Sequence, residues 1–125
     1  MPLRTFLQAK LHRATITGAE VDYEGSVAIC PDLIRAAGFH LNERVDIYNV
    51  DNGERLSTYV ILGEKGEICL NGAAAHKADP GDILIIASYS QYSEMELQKF
   101  HPTLIYVDEH NNIANRKDAI PVQAA

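Results

Sequence analysis

A serine that directly follows a glycine can attack the chain that carries it. Gly25-Ser26, in the stretch Asp22-Tyr23-Glu24-Gly25-Ser26, offers that chemistry. Taken alone, Gly-Ser is an ordinary turn dipeptide. A serine hydrolase would want a strained G-x-S-x-G elbow with histidine and acid in support, and Ser26 lacks the first glycine at that spacing. The other reaction open to Ser26 is addition of its hydroxyl to the carbonyl carbon of Gly25, which converts the amide to an ester. A glycine there has no Cβ, so the backbone is free to take conformations that allow the approach. β-Elimination of the ester would release Met1–Gly25 as a carboxylate and leave dehydroalanine at position 26. Hydrolysis of that residue would leave a pyruvoyl ketone, an electrophilic cofactor made by the chain itself.

The elements that must position this bond can be read from hydrophobic periodicity. The opening run RTFLQAKLHRATIT, with Leu3, Thr5, Leu7, Ala9 and Leu11 on one parity, suits a half-buried strand. The apolar run SVAI resumes after Gly25. PDLIRAAG predicts a helix: Pro31 lies in its first turn, Leu33, Ile34 and Ala37 share a face, and Gly38 ends it left-handed. RVDIYNV and RLSTYVIL alternate and are joined through Asp51-Asn52-Gly53, which predicts an antiparallel hairpin with a type I′ turn. EKGEICLNG adds a short strand, and GAAAHKADPGD reads as a helical turn followed by a tight turn at Asp79-Pro80-Gly81-Asp82. ILIIASYS is a nearly continuous apolar strand whose two faces should both be covered. SEMELQKF carries a capping box, Ser93 with Glu96, and TLIYVDE is a last strand, with a partly mobile tail expected from Asn115. Six or seven short strands with two or three short helices predict a compact, mainly β barrel.

Composition narrows the function classes. A chain of 125 residues that is 46% apolar and 22% charged is the size and make-up of one globular domain. Its net charge of −6 argues against a nucleic-acid partner, which needs a surplus of lysine and arginine. Cys30 and Cys69 have neither metal nor redox spacing and read as buried thiols. His40, His76, His101 and His110 show no metal-ligand spacing, and no metal is expected. No signal-peptide or membrane-spanning pattern is present, which places the expected location in the cytoplasm.

KLHRATIT, YEGS, NGERLSTY, NGAAAH and PGDILIIAS, in that order and spacing over nearly the whole chain, resemble the pyruvoyl-dependent aspartate 1-decarboxylase family. The resemblance implies a double-psi β-barrel with a few short helices, assembled as a homotetramer with sites between subunits. It implies a single domain over residues 1–125, a zymogen cut between Gly25 and Ser26 into residues 1–25 and 26–125. The mature enzyme would take the α-carboxylate from L-aspartate to give β-alanine and carbon dioxide, for pantothenate and coenzyme A. A pyruvoyl decarboxylase of a related acid such as glutamate is the alternative, since one methylene changes binding by only about 1–3 kcal/mol. A non-catalytic barrel that binds a small ligand, with Ser26 never converted, is the rival of another class.

Each implied role has a plainer reading beside it. Ser26, once converted, would form a Schiff base with the substrate amine and act as electron sink. Thr58 and Tyr59 are neighbours on one strand and point to opposite faces, as a β-propensity choice and a core residue would. In the family, the residue matching Thr58 donates a hydrogen bond at the cleaved carbonyl and contacts substrate, and the one matching Tyr59 is the proton donor. Arg55 and Lys10, ordinary surface charges on base rate, would bind the substrate carboxylates. Gly72, Ala73 and Ala74, otherwise a turn entering a short helix, would contact substrate through backbone N–H groups. Asn71 would position the pyruvoyl group. Tyr23 lies beside the bond to be cut, and His12 is a weaker candidate that could titrate near neutrality. Tyr48 stands where the family commonly has a larger aromatic residue.

Overall fold

The computed structural model describes residues 2–120. Nine strands form one sheet: β1 (Leu3–Thr15), β2 (Gly18–Glu20), β3 (Ser26–Ile29), β4 (Arg44–Asn49), β5 (Arg55–Leu62), β6 (Ile68–Asn71), β7 (Ile83–Ser93), β8 (Thr103–Val107) and β9 (Ile113–Lys117). Their order across the sheet is β2-β6-β3-β5-β4-β7-β1-β8-β9. With half its residues in strand and three short helices among the described residues, the chain has the mainly β, barrel-like fold expected from its sequence. No helix among the described residues is long and apolar enough to cross a membrane.

Directly opposed residues on neighbouring strands share a face of the sheet, so the register sorts inward from outward side chains. One inward row runs from Leu11 through Ile86 and Ile47 to Leu56, and its first three members are fully buried. The next outward rows run Lys10–Ala87–Asp46–Ser57 and His12–Ile85–Tyr48–Arg55. The inward parity of β1 is odd at Ala9 and Leu11 and becomes even at Ala14, because the register shifts at Arg13, whose φ is 69°. A bulge of that kind re-aims the side chains beyond it. Leu3, expected to face the core, is exposed, and β1 is buried only from Ala9 onward.

The helix α1 (Pro31–Ala37) starts at a proline and ends at Gly38, left-handed at φ 75°. It buries Leu33, Ile34 and Ala37 in the core, with Leu33 and Ile34 contributing about 2 kcal/mol each by area removed from water. The helix α2 (Glu94–Leu97) carries the expected reciprocal capping box between Ser93 and Glu96. A 3₁₀ helix spans Gly72–Lys77.

Several local expectations are corrected. The β4–β5 hairpin is antiparallel, but only Gly53 has positive φ in its turn, so the turn is not type I′. The side chain of Asn49 holds it instead, accepting from the backbone N–H groups of Asp51 and Asn52. On β7, Leu84, Ile86, Ala87 and Ser88 are buried while Ile83 and Ile85 are half-buried, so one face is covered more fully than the other. The segment Asn115–Lys117 belongs to β9, paired with β8, where a mobile tail was expected; residues 121–125 of that tail lie outside the described residues. Both cysteines are free and buried.

Candidate active site

Strand β3 lies between β5, to which it is parallel, and β6, to which it is antiparallel. It begins only at Ser26, whereas β5 already starts at Arg55, several residues before the level of Ser26. Where β3 is missing, β5 and the chain after β6 stand two strand spacings apart, about 10 Å. This gap is a cavity of about 400 Å³, lined by Gly25, Leu56, Ser57, Thr58, Tyr59, Asn71, Ala73, Ala74 and Lys77. The fold therefore opens a ligand-sized space at the bond singled out by its chemistry.

Ser26 is buried to 1% exposure, while Gly25 before it is exposed. Ser26 is paired directly with Asn71 across the β3–β6 ladder, which sets both side chains on one face. The Asn71 amide Nδ2 donates to Ser26 Oγ at 3.0 Å, and the Ser26 hydroxyl donates to the carbonyl oxygen of Glu24, also at 3.0 Å. The hydroxyl thus donates once and accepts once in the resting fold, with its second lone pair left over. Gly25 does not have positive φ, and a Cβ on it would meet nothing nearer than the Asn71 carbonyl oxygen at 4.0 Å. The demand for glycine falls on Gly72, whose φ is +70° and whose added Cβ would stand 2.7 Å from Gly25 Cα and 2.8 Å from Gly25 N. Ala cannot occupy that position without moving the Gly25 segment.

Thr58 and Tyr59, on opposite faces of β5, both line the cavity within one protomer, because β5 has no neighbour on that side at this level. Tyr59 is 37% exposed and lies opposite Arg44 on the outward face. Gly72 is buried against Gly25, while Ala73 and Ala74 face the cavity.

Lys10 and Arg55 do not join this group. Both lie on the outward face of the sheet, the face that also carries Tyr59. Lys10 is three strand spacings from β5, about 14 Å across the sheet. Burial pushes the Lys10 ammonium pKa down. The Arg55 guanidinium lies 4.5 Å from the centre of the Tyr48 ring, a cation–π arrangement. Tyr48 is hydrogen-bonded to Tyr89, Oη to Oη, at 2.9 Å, and burial together with that bond raises its pKa to about 12. It therefore stays a neutral phenol beneath the cation. The His12 ring lies 5.2 Å from that of Tyr106, tilted by 58°, with its Nδ1 buried and unpartnered among the described residues, and Tyr23 is exposed with its carbonyl close to Gly72.

Sequence reasoning missed Lys77, Leu56 and Ser57 as lining residues. Lys77 is held by a 2.9 Å ion pair with Glu54, and its carbonyl accepts from the amides of Asn49 and Asn52. The signal is the pair Asn49 and Asn52, of which the first reads as part of a strand and the second as part of a turn, with nothing local pointing to the Lys77 carbonyl. A larger cavity of about 570 Å³, lined in part by Arg35, Lys65 and His110, contains none of the residues expected to bind substrate or do chemistry.

Residues 2–114 match the family model described as aspartate decarboxylase. The chain is 56% identical over 113 residues to a protein named aspartate 1-decarboxylase from Bdellovibrio bacteriovorus, covering 90% of this chain and 91% of that one. It is 55% identical over 124 residues to one of the same name from Methylobacillus flagellatus, covering 98% of each chain. A third, from Hydrogenobaculum sp., is 58% identical over 114 residues, covering 91% of each.

Proposed function

We propose, for a chain that belongs to the aspartate decarboxylase family and is a carboxy-lyase, that it cuts itself between Gly25 and Ser26 and then decarboxylates L-aspartate to β-alanine. The observation that carries this reading is the placement of Ser26. Its buried hydroxyl is held by Asn71 and by the Glu24 carbonyl, at the junction with an exposed glycine that opens into the cavity shared by Thr58 and Tyr59.

In the cut, Ser26 Oγ bonds to the Gly25 carbonyl carbon, the C–N bond breaks, and the hydroxyl proton passes to the Ser26 nitrogen. Loss of the Ser26 Cα proton expels the Gly25 carboxylate and leaves dehydroalanine. Tautomerisation to the imine and addition of water release ammonia and leave the ketone. Thr58, at the cavity wall, supplies a hydroxyl for the oxyanion at the carbonyl under attack, and such a donor acts where water is excluded.

The residues around position 26 fit a pyruvoyl group: it is small and takes the place of a serine already enclosed, and the Asn71 amide, bonded in the uncut chain to the Oγ that departs with Gly25, is left as a donor beside the new ketone oxygen on Cα. Such a ketone supplies a sink for the electron pair left when a carboxylate departs as carbon dioxide. Tyr59, bordering the same cavity, delivers the proton that replaces the lost carboxylate. Asn71 holds the carbonyl oxygen, and the backbone at Gly72, Ala73 and Ala74 borders the bound substrate.

Cations for a dicarboxylate complete the site. Arg55 and Lys10 lie on the outward face of the sheet, so they reach a cavity by stacking of one copy's face on another, in a homotetramer with sites between subunits. We place the enzyme in the cytoplasm, supplying β-alanine for pantothenate and coenzyme A.

Intact-mass measurement after prolonged warm incubation tests the reading. A fragment ending at Gly25, a second piece that reacts with phenylhydrazine at residue 26, and carbon dioxide from aspartate in preference to glutamate are expected. Ser26→Ala should give one chain of 13.8 kDa and no β-alanine. An uncut parent, or cuts elsewhere, would reject self-processing.

A further inference from the structure

We infer that Cys69 is a positioning residue for Ser26: its thiol fixes which way the Asn71 amide points, and so which atom of that amide meets the serine hydroxyl. The inference rests on the self-cleavage reading above and extends it to a residue outside the cavity.

Cys69 and Asn71 are separated by one residue on β6, so their side chains share a face of the strand. Cys69 Sγ lies 3.4 Å from Asn71 Oδ1, and Asn71 Nδ2 lies 3.0 Å from Ser26 Oγ. The three groups form a relay in which S–H donates to the amide oxygen and the amide N–H donates to the hydroxyl, whose own proton goes to the Glu24 carbonyl. All three side chains are buried, so no water stands in for a missing partner.

An asparagine amide has two faces of opposite hydrogen-bonding sense. Turned over, Asn71 would set its NH₂ against the thiol and its oxygen against the serine. The serine proton would then be drawn towards Asn71, and the bond to Glu24 would be lost. The thiol donor selects the observed orientation. Burial, with the nearby Glu67 and Glu20 carboxylates, raises the Cys69 pKa, which keeps the proton on sulfur. The thiol is also confined. Gly18 is paired with Cys69 across the β2–β6 ladder, and a Cβ on Gly18 would stand 3.3 Å from Sγ. The other acceptor in reach, the Leu70 carbonyl, is more distant at 3.9 Å.

The test is the rate of cleavage after Gly25, followed by intact mass in freshly made protein, for the parent, Cys69→Val, Cys69→Ala and Cys69→Ser. Valine and alanine remove the donor with little or moderate change of volume, while serine restores an O–H donor. The first two should slow cleavage about 5-fold, the effect of one lost hydrogen bond, and serine should return the rate to within about 2-fold of the parent. In an Asn71→Ala background, Cys69→Ala should have no further effect on the rate, since the relay is already broken. A purely structural cysteine would give neither the serine rescue nor that loss of additivity. If the parent is cut and Cys69→Val and Cys69→Ala are cut at the parental rate, or if serine slows the cut as much as alanine, the inference is wrong and self-cleavage stands. If the parent is never cut, the premise and the inference fall together.

Discussion

The backbone of Gly72 packs against Gly25 so closely that a single added Cβ would lie 2.7 Å from the Gly25 Cα. The start of the 3₁₀ helix thus acts as a backstop for the segment that leads into Ser26. Gly72→Ala would incur roughly 1–2 kcal/mol for a side chain in the left-handed region, before the crowding is counted. The expected outcome is a lower melting temperature together with slower cleavage, read by calorimetry and by intact mass. Gly53→Ala is the control: its φ is also positive, at 76°, but its added Cβ meets nothing within 4 Å, so it should lose stability and keep the parental cleavage rate.

Tyr59 lines the cavity about one-third exposed, in reach of a ligand, and is not a partner in the hydrogen bonds of the Ser26 hydroxyl. Tyr59→Phe should therefore cut itself at the parental rate and yet turn over aspartate about 100-fold more slowly or worse, as loss of a positioned proton donor does. Parallel measurements of intact mass and carbon dioxide release separate the two steps.

Arg55 rests on the Tyr48 ring and has no ion-pair partner among the described residues, so its guanidinium fork can meet a carboxylate. Arg55→Ala should raise KM for aspartate about 10- to 100-fold, the range expected for a lost hydrogen bond to a charged group, with a smaller change in kcat. Initial-rate kinetics over a wide aspartate range check this.

His12 gives a pH signature to the fold. Burial, then the charges of Lys10 and Arg13, lower its pKa from the ordinary 6.5. Between 6.5 and that lower value the unfolded chain takes up a proton that the folded chain refuses, so this group makes stability fall as pH drops through the interval. His12→Gln should show a shallower loss of urea midpoint than the parent between about pH 7.5 and 5.5, where an ordinary histidine titrates.

Local chemistry was legible where it depends on a few neighbouring residues. The capping box of Ser93 and Glu96, the Gly38 helix end and the β4–β5 pairing were all expected and are all present. The strands β2 and β9 were missed for opposite reasons. The first has three residues, too few for a period, and β9 is an outer strand whose residues are mostly exposed, so it shows no alternation of apolar side chains. The bulge at Arg13 was invisible because it swaps the inward parity midway through one strand. At the site, the motif residues of β5, β6 and the 3₁₀ helix do converge on Gly25. That Gly72, not Gly25, bears the steric demand for glycine depends on a contact across 47 positions of chain, which no local pattern records.

The longest strand, β1, belongs to the residues before Gly25 and runs between β7 and β8, with Leu11 and Ala14 fully enclosed. A break after Gly25 would thus leave the small piece clamped by a ladder on each side, much as a tightly bound subunit is retained. Melting of the nicked molecule would then be a dissociation as well as an unfolding, and its midpoint should climb with protein concentration in a way that an unbroken monomer's would not.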